Sequence, residues 1–356
     1  MGPRPTFRFA VALLAIGVLA ACTSGSGVRR ATPTTGTPVT ASAKPLPASL
    51  AQAKGWLAYS TFIGDDDRIH LTRPDGSQDH ELFTDLQGTV IRADFSHDGQ
   101  LTFQHRESEQ QPSNVYIAKA DGTGARVIAE CRSGTCDREY PAWSPDSQQL
   151  VTTVALGKAV VPLPPPVFAL SIITVKTQAV RIILKHPSQQ FRENLPRWSP
   201  DGRKLVFFRW RGTKISPTEN SPDAQTAIFT VNVDGTGLKQ LTPWTLRCGD
   251  PDWSPDGSLI VCGTYPPNNF DVGPGELYAL RPDGSGLHPL TKYGTSGPRA
   301  AHPRFTPDGK TILFIRASTN AWETPPRHVY ALELASGQET PVLTKRDFYT
   351  RPSLQP

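Results

Sequence analysis

Few residues in this sequence are spaced for chemistry, and that scarcity is the first constraint on function. The eight histidines stand at 70, 80, 97, 105, 186, 288, 302 and 328, none in a His-Glu-x-x-His pair and none at a zinc-motif distance from a cysteine. No Gly-x-Ser-x-Gly elbow presents a nucleophile, and no Gly-rich loop would cradle a phosphate. The acidic run Asp65-Asp66-Asp67 is expected in a solvated hairpin turn, because calcium takes six or more oxygens. No catalytic residue, metal ligand or cofactor is assigned, and binding is favoured over catalysis. Two other sets remain. One is the five cysteines, Cys22, Cys131, Cys136, Cys248 and Cys262; the other is a mixed polar series, Arg92, Tyr140, Leu195, Asp250, His302 and Arg351, with Glu139 and Asn194 beside it.

That series is defined by a repeat. The stretch PRWSPDGRKLVFFRW (196–210) returns as PAWSPDSQQLVTT from Pro141, PDWSPDGSLIVCG from Pro251 and PRFTPDGKTILFI from Pro303, with a looser copy, ADFSHDGQLTFQ, from Ala93. The aligned aromatics Phe95, Trp143, Trp198, Trp253 and Phe305 are 48, 55, 55 and 52 residues apart. A period near fifty is that of a propeller blade of four strands. A second half follows each copy, as in IFTVNVDGTGLKQLT (228–242), where an Asp-Gly pair supplies the positive φ of a tight hairpin.

Four strands per repeat, A to D, therefore position the candidate residues. Strand A carries the Pro-x-aromatic. Strand B is apolar on successive positions, as in Leu205-Val206-Phe207-Phe208, so both of its faces are expected to be buried between neighbouring blades. The tryptophans are assigned to packing between blades, and each Ser-Pro-Asp-Gly aspartate to capping its own turn. The mixed series lies three residues before each aligned aromatic, where strand A lines the central channel. A ring of two Arg, an Asp, a His and a Tyr there suits a polar or anionic group; its competing use is to pair internally or hold water.

The two chain ends fix the blade count. The first blade begins directly at strand B, with Gly55-Trp56-Leu57-Ala58-Tyr59, and Tyr349–Leu354 reads as a lone strand A, with Leu354 falling 49 residues after Phe305. The C-terminal strand is expected to complete the N-terminal blade, which leaves no open edge. The fold class is all-β: a six-bladed β-propeller of four-stranded antiparallel blades over 55–356.

The recurrent PxWSPDG…DGSG…LT pattern resembles the propeller repeats of the TolB family, over about 300 of the 356 residues. The resemblance implies the propeller and not the family's own role in the cell. TolB carries an α/β domain ahead of its propeller, where this chain has some thirty residues. Prolyl-peptidase relatives carry a hydrolase domain that does not fit after Leu354. Some related propellers are lyases with His and metal sites in the channel, so the alternative function is a channel-active, metal-assisted polysaccharide lyase.

The N-terminus sets the compartment. Arg4 and Arg8 precede a thirteen-residue apolar run, 9–21, too short to span a bilayer, so 1–21 is expected to be a secretory signal. Leu19-Ala20-Ala21-Cys22 resembles the bacterial lipobox, which implies lipidation of Cys22 and an anchor of two or more acyl chains. Residues 22–54 hold no aromatic or acidic residue and are expected to be a flexible tether. The charge falls from +5 to +3 without Arg4 and Arg8, and to −1 for 55–356 once the four tether cations are removed. The propeller is nearly neutral, which argues against nucleic acid. The expected location is the bacterial envelope, with the chain monomeric and held to a membrane by its lipid alone.

An envelope location permits disulfides. Cys131 and Cys136 close one short connection between blades two and three, and Cys248 and Cys262 flank the turn at Pro255-Asp256 nearly symmetrically, so strands A and B of blade five bring them together. Strand parity places the A–B and C–D turns on one face and the B–C and D–A loops on the other. The first are tight. The second are long, roughly 209–225, 263–275 and 316–327, and carry Trp210, Tyr265, Phe270 and Trp322. An envelope protein or glycan is expected on that long-loop face, over the channel mouth.

Overall fold

The computed structural model describes residues 45–63, 66–132, 135–157, 167–185, 191–212, 224–266, 273–317, 327–345 and 350–356. They form six four-stranded antiparallel sheets. The innermost strands are Thr350–Leu354 in blade one, then Thr89–Phe95, Cys136–Trp143, Phe191–Trp198, Cys248–Trp253 and Arg299–Phe305. In blade one the C-terminal strand pairs with Leu57–Ile63, Leu57 opposite Leu354 and Ala58 opposite Ser353, so the last strand of the chain closes the first blade. The fourth strands are the shortest: only two residues at His80–Glu81, Lys239–Gln240 and His288–Pro289.

The strand-B runs are buried on both faces. Leu205, Val206, Phe207 and Phe208 of Lys204–Arg211 are all core, and one cluster joins Phe207 and Trp198 of blade four to Val151, Leu170 and Ile172 of blade three. Trp198 also donates from Nε1 to the Ala142 carbonyl, 3.2 Å away. The aromatic series is thus the packing between blades. Each Ser-Pro-Asp-Gly turn satisfies itself: Ser199 Oγ donates to Asp201 Oδ1 at 2.6 Å, the Arg203 N–H donates to the same oxygen at 3.0 Å, and Gly202 takes φ 69°. In the third blade Ser147 stands where the other turns have glycine, at φ 57°, a conformation that costs an L-residue about 1–2 kcal/mol.

The structure corrects three expectations. The last ten residues of the expected tether belong to the propeller: the helix Ala48–Ala51 drops Leu50, 1 % exposed, between Leu57 and Tyr59 of blade one and Leu313, Ile315 and Val329 of blade six. Two lone leucines, Leu46 and Leu50, supply enough apolar area to dock this short segment, and the compact unit begins at Lys44. Trp210 is no loop residue, because strand B runs on to Arg211 and buries it to 1 % exposure. The acidic run is not all turn either: Asp66 and Asp67 open the strand Asp66–Thr72, while Asp65 lies outside the described residues.

Candidate functional site

The mixed ring has a common backbone cause. In every blade, strand A bulges at the same place, two residues on A facing one on B: Arg92-Ala93 between the pairs Ile91↔Gln104 and Asp94↔Thr102, and equivalently Tyr140-Pro141, Leu195-Pro196, Asp250-Pro251, His302-Pro303 and Arg351-Pro352. The first residue of each bulge takes positive φ: Arg92 65°, Tyr140 57°, Leu195 52°, Asp250 51°, His302 53° and Arg351 47°. Proline as the second residue, in five of six, is tolerated because a bulge residue owes no ladder hydrogen bond. Non-glycine residues in this region each cost about 1–3 kcal/mol and persist where the surroundings over-determine them.

The ring side chains meet one another. Arg92 donates from Nη2 to Tyr140 Oη at 3.1 Å and from Nη1 to Gln104, and its guanidinium lies 3.8 Å from the Tyr140 ring centroid. Arg351 lies over the same ring at 4.7 Å. Glu139 is shared, 2.5 Å from Arg192 Nη2 and 3.9 Å from Arg92 Nη1. On the other side, Asp250 Oδ2 accepts from Tyr265 Oη at 2.9 Å and faces His302 Nδ1 at 2.9 Å. Burial holds His302 below the usual imidazole range, with Arg351 and Arg299 adding to it against the pull of Asp250. Burial also pushes the Tyr265 phenol well above its ordinary value, with Asp250 adding, so its proton stays in place. Gly249 makes room for that ring: a Cβ there would stand 2.3 Å from Tyr265 Cε2. Asn194 is buried beside Leu195, opposite Phe208 on strand B, and forms no part of the charged contacts.

A second ring, one step nearer the tight turns, is not among the residues singled out by sequence. It comprises the residues just before the five aligned aromatics and before Leu354: Asp94, Ala142, Arg197, Asp252, Arg304 and Ser353. Asp94 accepts from the Trp143 N–H at 3.2 Å, Asp252 from the Phe305 N–H at 2.9 Å and Ser353 Oγ from the Phe95 N–H at 3.4 Å, so each ties its blade to the next. Arg197 pairs with Asp94 at 2.6 Å and Arg304 with Asp252 at 3.3 Å. The available signal is the fixed offset from the aromatic, together with the alternation of Asp and Arg at that offset.

Between the rings the channel narrows to two voids of about 10 Å³ each, room for about one water. Of the loop aromatics expected on the rim, Tyr265 is half-buried in the ring's hydrogen-bond network, while Phe270 and Trp322 lie outside the described residues, as does Cys22. Both cysteine pairs are joined: Cys131–Cys136, with Cα atoms 5.3 Å apart, and Cys248–Cys262, 5.8 Å apart. Among the described residues no three His, Cys, Asp or Glu groups converge as a metal site, and no helix is long and apolar enough to cross a membrane.

No protein-family model matches the sequence. An uncharacterized protein of Agrobacterium fabrum is 27% identical over 139 residues, which is 37% of this chain and 40% of that protein, so the match spans less than half of the relative's length. TolB from Acinetobacter baumannii superimposes with a TM-score of 0.60 at 14% identity, covering 85% of this chain and 67% of that one. Oligogalacturonate lyase from Vibrio parahaemolyticus superimposes with a TM-score of 0.52, also at 14% identity, covering 82% and 75%. What is shared at such identities is the fold, here a TolB-like six-bladed propeller, and a fold hosts many functions.

Proposed function

We propose that the protein is a non-catalytic binding propeller of the bacterial cell envelope, lipid-anchored through Cys22, which engages an envelope protein or glycan on its long-loop face. One observation carries this reading: the channel ring is turned inward on itself above voids that take about one water each, too small at the channel for a polymer chain. The tight-turn aspartates are likewise spent within their own turns. That leaves the rim around Glu139, Arg192 and Tyr265, and the long loops above it, for contact. The tether is residues 23–44, the chain acts as a monomer, and neither a cofactor nor nucleic acid takes part. The rival, a metal-assisted polysaccharide lyase, draws on fold likeness to the Vibrio enzyme, and the described residues offer it no metal donor set.

The test is cross-linking of the full chain to partners captured from envelope extracts. Cross-links are expected on the long-loop segments and the rim; cross-links that map to turns such as Asp234-Gly235 or Asp283-Gly284 would overturn the assigned face. Release of Cys22→Ser from washed membranes checks the anchor, and a stoichiometric divalent ion in the natively purified protein would favour the lyase.

A further inference from the structure

One of the two voids is walled by Arg92, Tyr140, Leu195, Arg197, Arg304 and Arg351, together with Ala93, Pro141 and Pro196. Four of these are arginines, and none of the residues in the wall is acidic. Two of the four have their counter-charge to one side, Arg197 on Asp94 and Arg304 on Asp252. Arg92 is held by Gln104, by the Tyr140 hydroxyl and more distantly by Glu139.

Arg351 is different. Its guanidinium rests on the Tyr140 ring, no carboxylate among the described residues pairs with it, and its Nη1 is buried with no hydrogen-bond partner there. Arg351 also lines the second void, where Asp250 spends its Oδ2 on His302 and Tyr265 and keeps its buried Oδ1 without a hydrogen-bond partner among the described residues. A buried guanidinium N–H without an acceptor costs more than a neutral orphan, and like charges around one void add to that cost. Burial lowers the pKa of Arg92, and Arg351 and Arg192 lower it further. Arg92 and Arg351 both stand at positive φ on their bulges, and both line this void.

We propose that this void is an anion site, taking one small monoanionic atom between Arg92, Arg197, Arg304 and Arg351. A halide ion and a single oxygen of a carboxylate entering from the mouth share that chemistry. The volume, about 10 Å³, is room for about one water-sized group. The site needs no protein partner, so it stands or falls apart from the binding role.

The test uses the full chain. Crystals grown in sodium bromide and measured at the bromine edge should show an anomalous peak between Arg92 and Arg351. In solution, replacing sodium gluconate by sodium chloride at constant ionic strength should raise the melting temperature by about 1–3 °C. Arg351→Gln should abolish that increment. Acetate that displaces bromide would assign the site to a carboxylate, and bromide that acetate cannot displace would assign it to a free halide. Absence of the peak, or a chloride increment that survives Arg351→Gln, overturns the proposal. If Arg351→Gln fails to fold, the peak and the salt comparison on the unaltered chain decide alone.

Discussion

Arg197 Nη1 stands 2.6 Å from Asp94 Oδ1, although the whole of blade three separates their strands. The two residues are 103 positions apart and both side chains are largely buried. This pair therefore crosses the channel and braces blades two and four directly. Breaking a buried pair from one side strands the other charge, at a cost of about 3–5 kcal/mol. Arg197→Met should lose that much in urea unfolding. The double variant Arg197→Met/Asp94→Asn should lose clearly less, because no charge is stranded and an amide oxygen still accepts from the Trp143 N–H. Equal losses in the single and double variants would show that the pair is not the brace.

Asp252 gives the second ring a pH dependence. Burial pushes it up to about 7, with Asp94 adding and Arg197 opposing. Its folded pKa is thus above the ordinary value of 3.8, and the folded state binds this proton more tightly than the unfolded one. The resulting stabilisation is full below pH ~4 and is lost as the pH rises through about 7. Asp250, held low by His302, Arg351 and Tyr265 against its burial, contributes in the opposite sense, being lost only in strong acid. The readout is therefore a difference: unfolding free energy of the native chain minus that of Asp252→Asn, followed from pH 4 to 8. It should fall with rising pH, and a flat difference would place Asp252 in an ordinary carboxylate environment.

The architecture is legible in the sequence because its determinants are local and repeated. The Ser-Pro-Asp-Gly turn carries its own hydrogen bonds, and the offset of three from the five aligned aromatics and from Leu354 locates all six positive-φ residues as one ring. What stays hidden depends on neighbours remote in sequence. Nothing near Arg197 shows that it meets Asp94, since that follows only once six blades close. Trp210 reads as a loop residue because Arg209 interrupts its apolar run. Arg209 is in fact buried, paired with Glu193 at 2.7 Å and lying 4.7 Å over the Phe229 ring, so strand B continues through a charged residue. Leu50 stands in a polar tract whose composition outweighs one side chain, and only the seam between blades one and six gives that side chain a partner.

Packing residues and rim residues should separate experimentally. Trp198 is core between blades three and four, so Trp198→Ala should cost about 3–5 kcal/mol through the cavity it leaves. If the proposed long-loop contact includes Trp322, Trp322→Ala should leave the melting temperature nearly unchanged while reducing capture of the envelope partner several-fold. Thermal melts and capture assays on the same two variants check both halves. A Trp198→Ala chain with unaltered stability, or a Trp322→Ala chain that captures normally, would show that the two roles are assigned to the wrong residues.

The closing strand offers the most severe test of the whole arrangement. Deleting 350–356 removes the innermost strand of blade one and exposes the backbone edge of Leu57–Ile63 along the channel. It also takes Ser353 from the Phe95 N–H, Arg351 from the Tyr140 ring and Leu354 from the cluster that holds Leu50. Those contacts span blades two, three and six, so the loss cannot stay within one blade. The truncated chain should lose more than about 5 kcal/mol, the scale of a whole domain's stability. Because the strand is held by pairing and packing alone, a synthetic peptide of residues 349–356 should restore the melting temperature in a concentration-dependent way. A truncated chain that melts like the native one, or that the peptide cannot rescue at any concentration, would mean that the ring of blades is closed by something other than this strand.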